Sequence, residues 1–447
     1  MQLVYVTETY PPEINGVALT VERTVRFLRA QGHEVELIRP RQRFEAARSS
    51  PDEWRSAGAP IPMYPDLRLG LASIGQLQRR FAARRPALVH VATQGPLGRA
   101  AVMAASRLCI PVTTDFRTNF HWYSRYYRLS WLEPLVCGYL RRFHRQADAT
   151  FVPTRVVRAQ LLAQGFERIE VQGRGVDTAQ FSPARRSAAL RALWGVVPMG
   201  DGDGDCDAGG AVVAHRAGEP AGDAGIGSAM ADAGGNAVPG SAIGGNAGSA
   251  ERAAAVAAPV MLYVGRLAAE KNVSLALRAF EAARARVPAT RMVVVGDGPL
   301  RRRLEAEFPA ARFVGMQRGE ALAAHYASAD VFLFPSLSET FGNVTLEALA
   351  SGLAVLAFDA AAAAEHIRHG SNGLLAAPGD EADFIDQACR LAASPADYPE
   401  LLPALRAHAR ETALAVGWDA VLRRFESRLL HFAARNAGTA VQHAVLA

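Results

Sequence analysis

The amino-acid sequence predicts an α/β protein with two doubly wound halves and a low-complexity insertion between them. Three observations support this fold class. Short apolar runs alternate with helical patterns through residues 1–182, the alternation restarts at residue 259, and residues 199–258 contain almost no large apolar side chain. Alternating βα units predict a parallel sheet that is covered by helices on both faces.

The first half begins with a buried strand. Residues 3–7 (LVYVT) form a continuous apolar run, and apolar positions then recur at helical spacing over 17–30 until Gly32. Further strands are predicted at 34–38, 87–91, 110–114, 149–153 and 168–172, with helices near 71–85 and 96–108. We therefore assign residues 1–182 to an N-terminal domain.

Residues 199–258 change the character of the chain. They are rich in Gly, Ala and Asp, so they cannot bury enough apolar surface to offset their ordering entropy, and a disordered insertion is predicted. The string D-G-D-G-D at 201–205 resembles a calcium-binding loop, but Cys206 stands where Gly is required and Val212 where Glu is required. We therefore predict no metal site in the insertion.

The βα alternation restarts after the insertion. Strands are predicted at 259–265, 291–296, 312–315, 331–335 and 354–358, with helices at 272–287 and 299–307. Residues 183–198 and 259–402 are assigned to a C-terminal domain. The tail, 403–447, has a helical pattern and is expected to be able to cross back to the N-terminal domain.

Charge and composition exclude several classes of protein. The net charge of +6 fits a ligand or a surface that carries negative charge. Of the 49 lysines and arginines only Lys271 is a lysine, and it lies in neither a Gly-Lys-Ser/Thr nor a V-A-I-K string, which excludes P-loop enzymes and protein kinases. The four cysteines form no C-x-x-C pair, so we expect a reducing compartment. We expect neither a signal peptide nor a transmembrane helix.

The string ETFGNVTLEALASG, 339–352, is the strongest functional signal. It follows the predicted strand VFLFP, and open α/β sheets bind ligands at the carboxyl ends of their strands. Gly342 allows close approach of the backbone, and the N-terminus of the following helix suits an anion. Glu347 can accept hydrogen bonds from two vicinal hydroxyl groups. Ordinary glutamates on a surface helix are the alternative interpretation.

Two further loops follow predicted strands. VGRLAAEKN at 264–272 places Arg266 and Lys271 five residues apart, a spacing that can bind a diphosphate. The isolated lysine favours a functional role, because an ammonium group is more compact than a guanidinium group. Asn15, Gly16 and Val17 form a Gly-bearing loop after the first strand. This loop could approach a phosphate from the other domain.

These strings occur together with TYPPEINGV, GRGVDTAQFSP and VVVGDGPLRRRLE, in one order over nearly the whole chain except 199–258. The combination resembles the retaining glycosyltransferases of sequence family 4, and most of all the bacterial GDP-mannose-dependent α-mannosyltransferases and their glycolipid-forming relatives. The resemblance implies the GT-B fold, in which two Rossmann-like domains face a cleft. It also implies that no metal ion and no cofactor is needed, since a nucleotide sugar is the donor substrate.

The resemblance assigns roles to residues of both domains. Glu347 would bind the ribose hydroxyls, Glu339 the transferred sugar, Arg266 and Lys271 the diphosphate, and Gly16 would lie beneath the pyrophosphate. The complete donor-binding set is Gly16, Arg266, Lys271, Glu339, Phe341, Gly342, Asn343, Val344 and Glu347.

The acceptor side departs from the family pattern. The family carries a histidine in a string such as F-H-T, whereas this chain has Arg117 in that place and His121 four residues later. Either residue could take the catalytic role, beside Glu339, Arg266 and Lys271. Arginines alternate with aromatic residues over 117–145, which fits an amphipathic helical pair or a patch for an acceptor or a membrane surface.

We therefore expect a cytoplasmic enzyme, able to bind peripherally at the inner face of an anionic membrane, that moves a hexose to a lipid or saccharide acceptor. Mannose from GDP-mannose is the expected donor, and nucleic acid is not an expected partner. A nucleotide-sugar epimerase of the same fold and an inactive nucleotide- or glycan-binding module are the alternatives. The sequence leaves the donor, the acceptor and the oligomeric state open.

Overall fold

A computed structural model describes residues 1–13, 16–42, 45, 50–61, 64–116, 133–196, 259–336, 339 and 341–445. The predicted insertion lies outside these ranges. Met1–Val196 and Ala258–Ala447 form one compact unit, which contains two sheets. We call the parts around these sheets the N-terminal and C-terminal lobes.

The N-terminal lobe contains an eight-stranded sheet. Its strands are β1 (Gln2–Val6), β2 (Glu34–Pro40), β3 (Glu53–Ile61), β4 (Tyr64–Leu71), β5 (Leu88–Val91), β6 (Val112–Asp115), β7 (Ala149–Val152) and β8 (Ile169–Val171). They lie in the order β4-β3-β2-β1-β5-β6-β7-β8, and neighbours run parallel except for β3 and β4. The strand order reverses between β1 and β5, which is where sheets of this kind bind ligands.

Helices cover both faces of this sheet. They are α1 (Gly16–Ala30), α2 (Ile74–Arg84), α3 (Pro96–Arg107), α4 (Glu133–His144) and α5 (Arg155–Ala163). Successive residues of β1 point to opposite faces, so Tyr5 packs with Val25 of α1 while Val4 packs in the cluster that contains Phe81 of α2. Both faces of the sheet are therefore buried, which explains why its strands are continuous apolar runs.

The C-terminal lobe contains a six-stranded parallel sheet. Its strands are β9 (Val260–Val264), β10 (Arg291–Val295), β11 (Arg312–Gly315), β12 (Val331–Phe334), β13 (Ala354–Phe358) and β14 (Gly373–Ala376). The order β11-β10-β9-β12-β13-β14 reverses between β9 and β12. The predicted pair of doubly wound halves is thereby confirmed.

The helices of this lobe pack around one hydrophobic core. They are α6 (Ala188–Leu193), α7 (Val273–Arg286), α8 (Arg301–Glu307), α9 (Gly319–Ser328), α10 (Asn343–Ala350), α11 (Ala361–His366), α12 (Glu381–Asp397) and α13 (Leu401–Leu414). The last helix, α14 (Trp418–Val445), follows α13 in sequence but packs against the N-terminal lobe. No helix within the described ranges is both long and apolar enough to cross a membrane.

The sequence prediction missed one hairpin. β3 and β4 pair antiparallel at the edge of the first sheet, and the predicted helix at 71–85 begins only at Ile74 because Leu71 ends β4. The sequence of β3, EWRSAGAPI, contains few strong strand formers. Pairing with β2 stabilises the first half of β3, and Pro60 lies in the second half, which pairs with β4 at a register shift.

Two connections join the lobes, and they run side by side. Val176 and Phe181 already pack in the C-terminal core, so this lobe begins before the predicted boundary at 182. Leu405 of α13 also lies in that core, whereas Phe425 of α14 packs against the N-terminal sheet. In the predicted tail, α13 therefore belongs to the C-terminal lobe and α14 to the N-terminal lobe. The chain crosses back between these two helices. Val176 forms a parallel bridge with Gly417 where the connections meet.

The described residues that flank the insertion lie together at one edge of the C-terminal sheet. The backbone N–H of Arg291, the first residue of β10, donates to the carbonyl of Pro259 at 3.4 Å. The guanidinium Nε of Arg291 lies 3.5 Å from the position that a Cβ on Gly195 would occupy. Both flanks are thus at the amino ends of β9 and β10, opposite the edge that carries the predicted donor-binding residues.

Candidate active site

The predicted donor-binding residues gather at the carboxyl edge of the C-terminal sheet. Arg266 follows β9, and Glu339 follows β12, the strand next to β9. The strand order reverses between these two strands, and such a reversal opens a crevice above the sheet. The crevice explains why residues far apart in sequence meet here.

Lys271 and Glu339 are in direct contact across this crevice. The Lys271 ammonium group forms an ion pair with Oε1 of Glu339, and the side chains remain 20% and 15% exposed. The hydroxyl of Ser336 donates to the same Oε1 atom at 3.1 Å. Lys271, which the resemblance assigned to the diphosphate, and Glu339, which it assigned to the sugar, are therefore neighbours in the same crevice.

Arg266 lies on the turn after β9 and has an acidic neighbour. Its guanidinium group forms an ion pair with Glu270, and 45% of the Arg266 side chain remains exposed. The fully buried hydroxyl of Tyr263 donates to the backbone carbonyl of Arg266 at 3.3 Å. This bond fixes the backbone of the turn while the guanidinium group stays accessible to an anion.

Glu347 is on α10, one helical turn after the loop that contains Phe341 and Gly342. Its Oε2 atom accepts a hydrogen bond of 3.0 Å from the hydroxyl of Tyr326. Burial raises the pKa of the Glu347 carboxyl to about 7, and the hydrogen bond from Tyr326 acts in the opposite direction. Such a group accepts hydrogen bonds best above neutral pH, where it is ionised.

The loop before α10 is shaped by one glycine. Gly342 has φ 84°, a left-handed conformation that glycine adopts without steric cost. Phe341 is buried, and Val344 packs against the core, so the loop is anchored on both sides of Gly342. Asn343 begins α10 and points toward the other lobe.

Gly16, the first residue of α1, faces Asn343 from the N-terminal lobe. A Cβ at Gly16 would lie 3.6 Å from Nδ2 of Asn343. Arg174 lies at the same place: its Nη1 donates to Oδ1 of Asn343 at 3.3 Å, and its guanidinium carbon is 5.7 Å from the Phe341 ring centre. The first helices after β1 and β12 therefore meet at their N-termini.

A second contact joins the lobes at the rim of the cleft. The Glu365 carboxylate on α11 accepts from the backbone N–H of Arg155 at 2.6 Å and from its Nε at 3.0 Å. Because Arg155 is the first residue of α5, the carboxylate also interacts favourably with that helix N-terminus.

Both predicted residues of the acceptor side, Arg117 and His121, lie outside the described residues. The described chain ends on β6 with Asp115 and Phe116 and resumes at α4. The side chain of Asp115 is buried, and His90 Nε2 lies 3.2 Å from its Oδ2. No role for Arg117 or His121 follows from this geometry.

Sequence reasoning did not single out several residues that support the site. Tyr263 lies inside the predicted strand 259–265 and Tyr326 lies on α9, and a buried tyrosine in such an element has no distinguishing pattern. Arg174 lies in the string GRGVDTAQFSP, which the sequence analysis noted. The string does not indicate that Arg174 contacts Asn343 of the other lobe. In the described ranges, no group of three or more His, Cys, Asp or Glu side chains is placed to hold one metal ion.

Comparison with known proteins extends this description. Residues 14–180 match the family described as Glycosyltransferase Family 4, and residues 258–394 match that described as Glycosyl transferases group 1. A GDP-mannose-dependent alpha-mannosyltransferase of Mycobacterium tuberculosis is 30% identical over 385 residues, covering 85% of each chain. The protein of the same name in Mycolicibacterium smegmatis is 30% identical over 440 residues, covering 94% of this chain and 95% of its own.

Solved structures share the architecture. The sucrose-phosphate synthase of Thermosynechococcus elongatus superimposes with a TM-score of 0.66 at 17% identity, over 97% of this chain and all of that one. This similarity confirms the predicted GT-B fold. It carries no information on the substrate, because the identity is low.

Proposed function

Because the chain belongs to glycosyltransferase family 4, we propose that it transfers mannose from GDP-mannose to a lipid or saccharide acceptor, with retention of the anomeric configuration. The donor is proposed from the relatives, whose printed names state dependence on GDP-mannose and whose similarity extends over most of the chain. The observation that carries the site is the contact between Lys271 and Glu339 above the crevice between β9 and β12.

In this proposal the C-terminal lobe binds the donor. Lys271 and Arg266 bind the diphosphate, Glu339 binds the mannosyl hydroxyls, and Glu347 accepts from the ribose hydroxyls. Gly16 lies beneath the pyrophosphate from the other lobe, where the absence of a side chain leaves room next to Asn343. Phe341, Gly342, Asn343 and Val344 form the loop and the helix N-terminus along the donor.

The chemistry follows from the charges of these groups. Cleavage of the bond between the sugar and the diphosphate leaves an oxocarbenium-like sugar and places negative charge on the phosphate oxygens. Arg266 and Lys271, preorganised at that position, stabilise this charge without a metal ion. A leaving phosphate oxygen then helps to remove the proton of the acceptor hydroxyl, on the same face of the sugar.

The acceptor is proposed to bind against the N-terminal lobe, where Arg117 or His121 serves the reaction. The adjacent helix α4 supports a lipid acceptor at an anionic membrane surface. Leu135 on this helix is 68% exposed, and Arg141 and Arg142 are exposed in its last turn. Exposed apolar and basic side chains on one helix suit the interface of a membrane. This location would be the inner face of the plasma membrane.

The experiment uses the whole protein with GDP-mannose, UDP-glucose and UDP-galactose, first by shifts of the melting temperature and then with candidate acceptors. We expect GDP-mannose to raise the melting temperature most, and NMR of the product to show an α-mannoside. EDTA should leave the rate unchanged. A β-linked product would contradict retention, and free epimerised nucleotide sugar would favour the epimerase.

A further inference from the structure

A buried tyrosine lies beneath Glu347 and is assigned no contact with the donor. Tyr326 is on α9, and its ring packs edge-on against Phe181 at 5.5 Å and tilted against Phe332 at 5.8 Å, measured between ring centres. The side chain is fully buried, and its hydroxyl group ends 3.0 Å from Oε2 of Glu347.

We propose that Tyr326 is a positioning residue, which orients the Glu347 carboxylate toward the ribose hydroxyls of the donor. This inference rests on the proposed function, because it requires Glu347 to contact the ribose. Tyr326 itself touches no donor atom and acts only through Glu347.

The hydrogen-bonding capacity of a carboxylate explains why such a residue is useful. Each oxygen has two lone pairs, and a vicinal diol needs two acceptor sites in a fixed relation. In the described part of the chain, Tyr326 is the only side chain that donates to Glu347. By occupying Oε2 from the core side, it fixes the rotation of the carboxylate and leaves Oε1 for the ligand.

The ionisation of both groups supports this arrangement. Burial, together with the nearby Glu347 carboxylate, raises the pKa of Tyr326 well above its usual value, so its hydroxyl remains a donor at every pH at which the protein is used. The hydrogen bond favours the ionised form of Glu347, which is the better acceptor. Loss of the Tyr326 hydroxyl would therefore leave the Glu347 carboxyl less well oriented and less readily ionised.

The chain offers a matched control in Tyr263. This tyrosine is also fully buried in the C-terminal lobe, but its hydroxyl donates to the backbone of Arg266, on the diphosphate side of the site. Tyr263→Phe removes the same atom from the same core. Its effect should not depend on the ribose hydroxyls.

The test measures the dissociation constants of GDP and of 2′-deoxy-GDP at pH 8 for the wild type, Tyr326→Phe and Tyr263→Phe. We expect the wild type to prefer GDP by about tenfold or more, because 2′-deoxy-GDP lacks the 2′-hydroxyl and so loses one charge-assisted hydrogen bond to Glu347. Tyr326→Phe should reduce this preference to about threefold or less, mainly by weakening GDP binding. Tyr263→Phe should keep the wild-type preference, although it binds both nucleotides more weakly.

The outcomes distinguish a failure of the proposed ribose contact of Glu347 from a failure of the positioning role of Tyr326. A wild type that does not distinguish the two nucleotides removes Glu347 from the ribose and overturns both the proposed site and this inference. If the wild type discriminates and Tyr326→Phe discriminates equally well, or loses both ligands equally, only the positioning role is overturned. A protein that binds UDP instead of GDP is tested with UDP and 2′-deoxy-UDP.

A second variant protects the test against misfolding. If Tyr326→Phe fails to give a cooperative melting curve, Glu347→Asp withdraws the carboxylate from the tyrosine and leaves Tyr326 in place. This variant should also lose most of the preference for GDP. Retention of the full preference in Glu347→Asp would show that the contact with Tyr326 is not needed for discrimination.

Discussion

The only lysine of the chain, Lys271, forms an ion pair with Glu339 at the carboxyl edge of the C-terminal sheet. The 3-10 turn at Ala269–Lys271 supplies the ammonium group, and the segment after β12 supplies the carboxylate. A diphosphate that enters the crevice would therefore share this cation with a carboxylate. A compact ammonium group can contact both at once.

Lys271→Arg should lower the rate of transfer by about tenfold, because charge stabilisation depends on the placement of the cation. Lys271→Ala should lower it further, by on the order of a hundredfold. Steady-state rates with the correct donor, together with melting temperatures, measure both effects. Arg278→Lys, an exposed exchange on α7, is the control and should leave the rate unchanged. A Lys271→Arg enzyme with the wild-type rate would show that transfer does not require a lysine at this position.

Deletion of about residues 200–256, rejoined by a short linker, should leave folding and donor binding intact. The described flanks, Gly195 and Pro259, both lie beside Arg291, so a short linker can join them without strain on the sheet. They also lie at the sheet edge opposite Lys271. Melting curves and the dissociation constant of GDP check this prediction, and a large loss of affinity in the deletion variant would contradict it.

Alanine at Arg117 or at His121 should lower turnover while donor affinity changes little. The reason is the resemblance, which places the family's catalytic histidine in this part of the chain, on the acceptor side. Measurement of kcat with saturating donor, beside the dissociation constant of GDP, separates the two effects. Full turnover in both variants would remove this segment from catalysis.

Gly175→Ala should destabilise the protein by about 1 to 3 kcal/mol, the usual cost of forcing extra atoms into a packed place. A Cβ at Gly175 would lie 2.6 Å from the Cα of Trp418, where the two connections between the lobes touch. Gly173→Ala, two residues earlier, is the control, since nothing lies within 4 Å of its added Cβ. Unfolding by denaturant compares the two, and equal stabilities would show that the connections separate easily.

Glu8→Gln should remove part of the pH dependence of stability. Burial raises the pKa of Glu8 to about 7, although the backbone N–H groups of Leu97 and Gly98 oppose the shift. Since the folded pKa exceeds the unfolded one, this group stabilises the fold fully below about pH 4.5 and loses that contribution as pH rises through 7, a change of about 3 kcal/mol. Free energies of unfolding between pH 4.5 and 8 measure it. Identical slopes for wild type and Glu8→Gln would place the titration elsewhere.

The sequence by itself determined the parallel strands of the two sheets and the edge at which the site lies. Both follow from local patterns: buried strands appear as continuous apolar runs, Gly265 and Arg266 come directly after one such run, and Glu339 follows another within four residues. The motif strings identified the family for the same reason, since each is a short local stretch. The hairpin of β3 and β4 escaped because its residues favour a strand only when β2 is beside them.

Only the tertiary structure decided which side chains meet. Lys271 and Glu339 are 68 residues apart, Tyr326 and Glu347 are on different helices, and Gly16 and Asn343 belong to different lobes. A local pattern carries no information on such pairs, because their distance depends on strand order and on how helices pack. The division of the tail between α13 and α14 was likewise settled by packing: both helices are amphipathic, and only the folded chain presents each apolar face with its own core.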